Sequence, residues 1–292
     1  PPVELLGHRL VSRAARTMRS PAHGRAEASA RLILPLLRTQ GLGLRYGGAG
    51  RSEWALRDVD LELKAGEVLA VVGESGSGKS TLLACLAGRL QPTCGSVHYR
   101  DARGQWLDLQ QLGARQLRLL ARTEWGYIHQ HAADGLRMDV SAGANVGERL
   151  MDQGVRRYGR LRSAALHWME QVELDTARID DTPRAYSGGM RQRLQIARNL
   201  VTQPRLVLMD EPTSGLDLSV QARLLDLIRS LVDQLGVAAV IVTHDLGVAR
   251  LLAHRTLVMR HGCVVEQGLT DRVFDDPRHP YTQLLVASAL MP

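Results

Sequence analysis

The chain contains no apolar run near the ~20 residues that a helix needs to cross a bilayer; the longest candidate is Val237–Val242. Any membrane role would need its spans from another chain. Cysteine is scarce as well, and Cys85, Cys94 and Cys263 show no C-x-x-C spacing. The missing spacing argues against a cysteine metal site, and the odd number fits free thiols in a reducing cytosol, with no disulfides expected. Internal repeats are absent, and no low-complexity tract appears beyond the first 31 residues. Those residues lack acid: Arg9, Arg13, Arg16, Arg19, Arg25 and Arg31 face only Glu4 and Glu27. More than half of the formal net charge of +7 sits there, so the remaining body is nearly balanced. That balance argues against a broad basic face, and no nucleic-acid partner is expected. The stretch 1–31 has the Arg, Ala and Ser content of a targeting peptide without the continuous apolar core of a secretory signal. It is read as a disordered basic extension, or as a segment ahead of a true start such as Met18.

Lysine occurs only at Lys64 and Lys79, and arginine supplies the rest of the positive charge. Lys79 stands where a compact ammonium has a specific use. Gly73-Glu74-Ser75-Gly76-Ser77-Gly78-Lys79-Ser80 fills the phosphate-loop pattern G-x-x-x-x-G-K-[ST]. It follows an apolar run, Val68–Val72, that reads as a buried strand, and it opens a helix expected from Lys79 to about Leu90. In that context the glycines let successive N–H groups point at phosphate oxygens. Lys79 would bridge the β- and γ-phosphates, Ser80 would bind Mg²⁺, and the helix would aim its positive dipole end at the same anion. ATP and Mg²⁺ are therefore the expected ligands.

An apolar fraction of 45% over 292 residues is ample for a core. Two β-like runs precede the loop: Leu32–Leu37, and Ala55–Leu63 with Leu56, Asp58, Asp60 and Glu62 alternating against Val59, Leu61 and Leu63. A mostly helical block is expected from about Ala114 to Leu200. Short strands then follow at Leu206–Met209 and Ala238–Val242, with helices at Ser219–Gln234 and Leu246–Ala253. The pattern is a parallel α/β core interrupted by a helical insertion.

The strand Leu206–Met209 ends in Asp210 and Glu211, where a phosphate-loop enzyme needs its metal-anchoring acid. Asp210 would hold Mg²⁺ through water, and Glu211 would orient or deprotonate the attacking water. Tyr186-Ser187-Gly188-Gly189-Met190-Arg191-Gln192-Arg193 precedes a helical run, Leu194–Val201, and resembles the signature motif of ATP-binding cassette (ABC) ATPases. Tyr46 resembles the adenine-stacking aromatic of that family. Gln130 resembles the Q-loop glutamine, Ser214-Gly215-Leu216-Asp217 the D-loop, and His244 the switch histidine. The signature departs from the usual Leu-Ser-Gly-Gly-Gln at Tyr186 and Met190.

The resemblance spans about Leu36 to Leu290. It implies one P-loop NTPase domain over 32–292, with an antiparallel β subdomain, a helical subdomain at about 114–200 and a C-terminal tail at about 268–292. It further implies that Tyr46 and the stretch Gly73 to Thr81 bind ATP, and that Ser80, Gln130 and Asp210 serve the metal. Lys79, Gln130, Glu211 and His244 would be catalytic. Two cassettes, either two copies of this chain or this chain with a related one, would pair head to tail, each closing the other's site with Ser187, Gly188, Gly189, Met190 and Gln192, and Asp217 would link the sites across the interface.

The C-terminal segment Asp276-Pro277-Arg278-His279-Pro280-Tyr281-Thr282 resembles oligopeptide and dipeptide importer ATPases. A closer likeness is to the cassette subunit of the bacterial carbon–phosphorus lyase system, which degrades phosphonates. It rests on Arg122-Thr123-Glu124-Trp125-Gly126, His129-Gln130-His131, Asp134-Gly135-Leu136-Arg137 and Gly147-Glu148-Arg149-Leu150-Met151. That likeness implies a companion ATPase of a soluble lyase complex, itself without iron–sulfur ligands. The importer likeness implies instead a membrane permease as partner. His129 and His131, two apart on an expected strand, would point the same way as part of a docking surface.

Overall fold

The computed structural model describes residues 34–47 and 53–289; the expectations for the N-terminal extension and for the start of the first strand at Leu32 lie outside them. Two sheets organise the chain. Strand β1 (Pro35–Tyr46) pairs antiparallel with β2 (Glu53–Lys64) on one side and β4 (Cys94–Arg100) on the other, and β5 (Trp106–Asp108) closes the edge. The second sheet runs β10 (Cys263–Leu269), β9 (Arg255–Arg260), β3 (Val68–Val72), β8 (Ala238–Thr243), β7 (Leu206–Asp210), β6 (Trp125–Ile128). Its strands are parallel except β10.

The parallel strands are continuous apolar runs because both their faces are covered. Along β7 and β8, Val207, Met209, Ala239 and Ile241 join one core, while Leu206, Leu208, Ala238, Val240 and Val242 join the other. Strand β2 departs from the alternation expected of it. Leu56 is buried together with Val59, Leu61 and Leu63, on the side opposite to its expected companions. The backbone bulges there: Asp58 takes a φ of 50° and the register against β1 shifts, which resets the phase.

Ten helices are described. Helix α1 (Lys79–Leu86) follows the phosphate loop and stops short of Leu90, with Gly88 at a φ of 64° just beyond its end. The block after it carries α2 (Ala114–Thr123), then the edge strand β6, then α3 (Ala132–Gly135), α4 (Ala142–Asp152), α5 (Tyr158–Gln171) and α6 (Gly188–Leu200). Helix α6 starts six residues before the apolar run at Leu194 because the Ser187 hydroxyl accepts from the Met190 N–H and caps it. The chain ends with α7 (Leu218–Leu235), α8 (Leu246–Leu252), α9 (Thr270–Asp275) and α10 (Pro280–Ala289).

Beyond the carboxyl ends of β3, β6, β7 and β8 come the phosphate loop, Gln130, Asp210-Glu211 and His244. Parallel pairing delivers all four segments to one edge of the sheet, where α/β folds bind ligands.

Candidate functional site

The phosphate loop is shaped by contacts that only glycine permits. A Cβ on Gly73 would lie 2.2 Å from the Met259 carbonyl oxygen, and one on Gly78, at a φ of 101°, 2.4 Å from that of Ala55. The loop curls around Lys79, which is 5% exposed. Its ammonium donates to the carbonyls of Gly73 and Glu74, both at 2.7 Å. Burial pulls its pKa down, against the opposing charges of Glu211, Asp210 and Glu74.

Ser80 Oγ donates to Asp210 Oδ1 at 3.0 Å. The Asp210 carboxyl is held above its ordinary value, chiefly by burial, with the Ser80 hydrogen bond opposing and the neighbouring Glu211 charge adding. Hydroxyl and carboxylate oxygens brought together in this way are the hard donors that Mg²⁺ prefers, so these residues fit that ion. The Gln130 amide, also expected with the metal group, lines the same cleft as Ser80 and donates to Glu211.

Glu211 carries a φ of 41°, sterically costly for a non-glycine residue, and its N–H is tied to the Val242 carbonyl at 2.9 Å. Its carboxylate is gripped from both sides. His244 Nδ1 lies 3.0 Å from Oε1, and Gln130 Nε2 donates to Oε2 at 3.2 Å and to Ser214 Oγ at 3.2 Å. Gln130 and His244 are themselves exposed.

Lys79, Ser80, Gln130, Glu211 and His244 line a cleft of about 790 Å³, together with Tyr46 and Trp54. Tyr46 is 51% exposed and its hydroxyl meets Thr81 Oγ1 at 3.4 Å, leaving a ring face open. Nothing in the spacing of the sequence pointed to Trp54, Glu53 or Ser214 as cleft residues. Arg45, stacked 3.9 Å over the Trp54 ring, holds that wall in place.

Ser187, Gly188, Gly189 and Asp217 do not line this cleft. They sit together elsewhere: a Cβ on Gly189 would lie 2.6 Å from Val220 Cγ1, on the first turn after Asp217. Ser187, Gly188 and Asp217 are exposed. Two residues expected beside them are not presented with them. Gln192 is 3% exposed, because the helical turn rotates it inward, where its amide donates to the His129 carbonyl at 3.3 Å. Met190 is half-buried against the core, with its sulfur 3.8 Å from Arg178 Nη1.

The two histidines also part company. Strand β6 ends at Ile128, before either of them. His129 is half-buried, its ring 4.7 Å from that of Tyr127 and 3.3 Å from the Arg89 guanidinium, and burial together with the Arg89 charge lowers its pKa. His131 is exposed.

A family model described as ABC transporter matches residues 56–214. The chain is 60% identical over 257 residues to a protein of Escherichia coli (strain K12) described as the phosphonates utilization ATP-binding protein PhnK, covering 88% of this chain and 98% of that one. It is 37% identical to a peptide import ATP-binding protein, BMEII0863, of Brucella melitensis biotype 1, covering 87% of this chain and 77% of the relative. Among solved structures, the ATP-binding cassette MJ0796 in a dimeric post-hydrolysis state with ADP and Pi superposes with a TM-score of 0.73. That match has 29% identity and covers 80% of this chain and 99% of that one.

Proposed function

This chain belongs to the ABC transporter family and is an ATPase, and on that premise we propose that a Mg²⁺-dependent cassette dimer couples ATP hydrolysis to a carbon–phosphorus lyase complex in phosphonate catabolism. The observation that carries the hydrolytic part is the Glu211 carboxylate, fixed between His244 and Gln130 at the mouth of the phosphate loop. A carboxylate so oriented can take the proton of a water directed at the γ-phosphate. Lys79 is placed for the β- and γ-phosphate charge, and loop N–H groups around Ser75 to Ser80 for the remaining oxygens. Ser80 and Asp210 would hold Mg²⁺, which when bound supplies charge neutralisation at the phosphates. Tyr46 would stack on adenine.

In our reading a partner cassette closes the cleft over the γ-phosphate. Ser187 and Gly188 are exposed at the start of a 13-residue helix, whose first-turn N–H groups make a favourable seat for an anion. Gln192, buried against its own core, would act only through the backbone it supports, whereas the half-buried Met190 would sit at the edge of the contact. Asp217, beside the signature in the same chain, would carry the link between the two sites.

The phosphonate assignment is supported by the 60% identity to PhnK across nearly the whole of that protein. The exposed His131 and Arg137, flanking the Q-loop, are the proposed docking surface for lyase subunits. The importer likeness in the C-terminal segment favours a second reading, the motor of a peptide importer. Tagging the protein in its native host under phosphate starvation and isolating it without detergent separates the two. Co-purification of soluble phosphonate-lyase subunits is expected; recovery only from solubilised membranes with a permease would overturn the lyase assignment.

A further inference from the structure

The segment His279-Pro280-Tyr281-Thr282 is not used by the hydrolytic reading above, yet the fold carries it to the back of the phosphate loop. Tyr281, in the first turn of α10, is 3% exposed, and its hydroxyl accepts the Glu74 N–H at 3.0 Å across 207 residues of sequence. Glu74 does not line the cleft, whereas Ser75 and Gly76 beside it do. Its N–H therefore faces away from the nucleotide side, and Tyr281 is its partner there.

The tyrosine is itself anchored. The Arg260 guanidinium stacks 4.8 Å over its ring, from the end of the strand whose Met259 carbonyl presses on Gly73. The Glu266 carboxylate accepts the N–H groups of Arg278 and His279 at 2.9 and 3.0 Å, and His279 Nδ1 accepts the N–H of Tyr281 at 3.1 Å. The ring packs in a small core with Ala70 and Val72, on the strand that feeds the loop.

We propose that Tyr281 is a positioning residue for nucleotide binding: docked by the C-terminal segment, it holds the Glu74 peptide from behind so that the N–H groups at the front of the loop converge on the phosphates. Filling the cleft and docking of α10 are then coupled, since the loop geometry that favours phosphate is the one that reaches the hydroxyl. This rests on the nucleotide reading of the cleft and extends it to a segment outside the cleft.

Tyr281→Phe removes the hydroxyl and keeps the packed ring. Binding of Mg²⁺-ADP by calorimetry is expected to weaken about threefold to tenfold, the size that one neutral hydrogen bond carries. KM for ATP should rise in step, with kcat at saturation unchanged and the thermal midpoint close to that of the parent. Hydrogen exchange on the unaltered full chain gives a second readout: Mg²⁺-ADP should slow exchange across 280–289, and the effect should vanish in Tyr281→Phe. Equal ADP affinity in the two proteins, a fall in kcat without a rise in KM, or no nucleotide-dependent protection of 280–289 would each overturn the proposal. Failure of the unaltered protein to bind ADP would instead overturn the nucleotide reading on which it stands.

Discussion

Glu211 concentrates the costs and the uses of this site. A non-glycine residue with φ at 41° is held there by its bond to Val242, and the carboxylate it presents is gripped by His244 and Gln130. Glu211→Gln keeps the shape and removes the base, so ATP affinity should persist while turnover falls about 10²- to 10⁴-fold, the range general-base catalysis supplies. Parallel filter-binding and phosphate-release assays check it; undiminished hydrolysis would remove Glu211 from that role. Asp210 shows the opposite balance. Burial raises its folded pKa above the unfolded value, so stability falls as pH rises from the unfolded carboxyl pKa through the raised one, and stays lower above it. At neutral pH, Asp210→Asn should therefore raise the thermal midpoint of the nucleotide-free protein while abolishing Mg²⁺-dependent turnover. Calorimetric scans of the two proteins should converge near pH 3. The acid pair was legible in the sequence because it ends an apolar strand, but the positive φ of Glu211 was not, since no glycine marks it.

Among the elements, α6 does more than its sequence announces. Strand β6 is the edge of the parallel sheet, and its outward N–H groups have no further strand to meet. Asn199 Oδ1 accepts the Tyr127 N–H at 3.0 Å and Gln195 Oε1 accepts the His129 N–H at 2.7 Å, so two side chains four apart on one helix face stand in for a strand. Gln195 also donates to the His129 carbonyl at 3.2 Å and is fully buried. Gln195→Leu leaves the His129 N–H unpaired, a cost of about 1–3 kcal/mol, while Gln192 still donates to the carbonyl. The urea midpoint should drop with the m-value unchanged, and a midpoint equal to that of the parent would show that the N–H finds another partner. Helical periodicity in Leu194–Val201 was readable, but its polar residues offered no sign of pairing with a strand some 66 residues earlier.

At the scale of the whole molecule, the pairing proposed above makes one chain half of a working unit. Its cleft holds the phosphate loop, Glu211 and His244, whereas Ser187-Gly188-Gly189 lies outside that cleft. Chains carrying Lys79→Ala or Ser187→Arg should each be inactive, yet an equimolar mixture should regain roughly a quarter of parental hydrolysis. Random pairing under two-fold symmetry makes half the dimers mixed, each with one intact composite site. No recovery on mixing would place the complete site within one chain.

By itself the sequence determined the order of the motifs and the strands that bear them, because a phosphate loop, an acidic strand end and a helix N-terminus are built from neighbouring residues whose spacing is their geometry. Only the tertiary structure decided which way each side chain turned once the elements packed. Gln192 faces β6, Met190 faces the core, His129 and His131 part where the strand ends, and Tyr281 reaches a peptide 207 residues away. Those outcomes depend on how helices rotate against the sheet and where distant segments dock, and burial of apolar surface sets both without leaving a mark in local spacing.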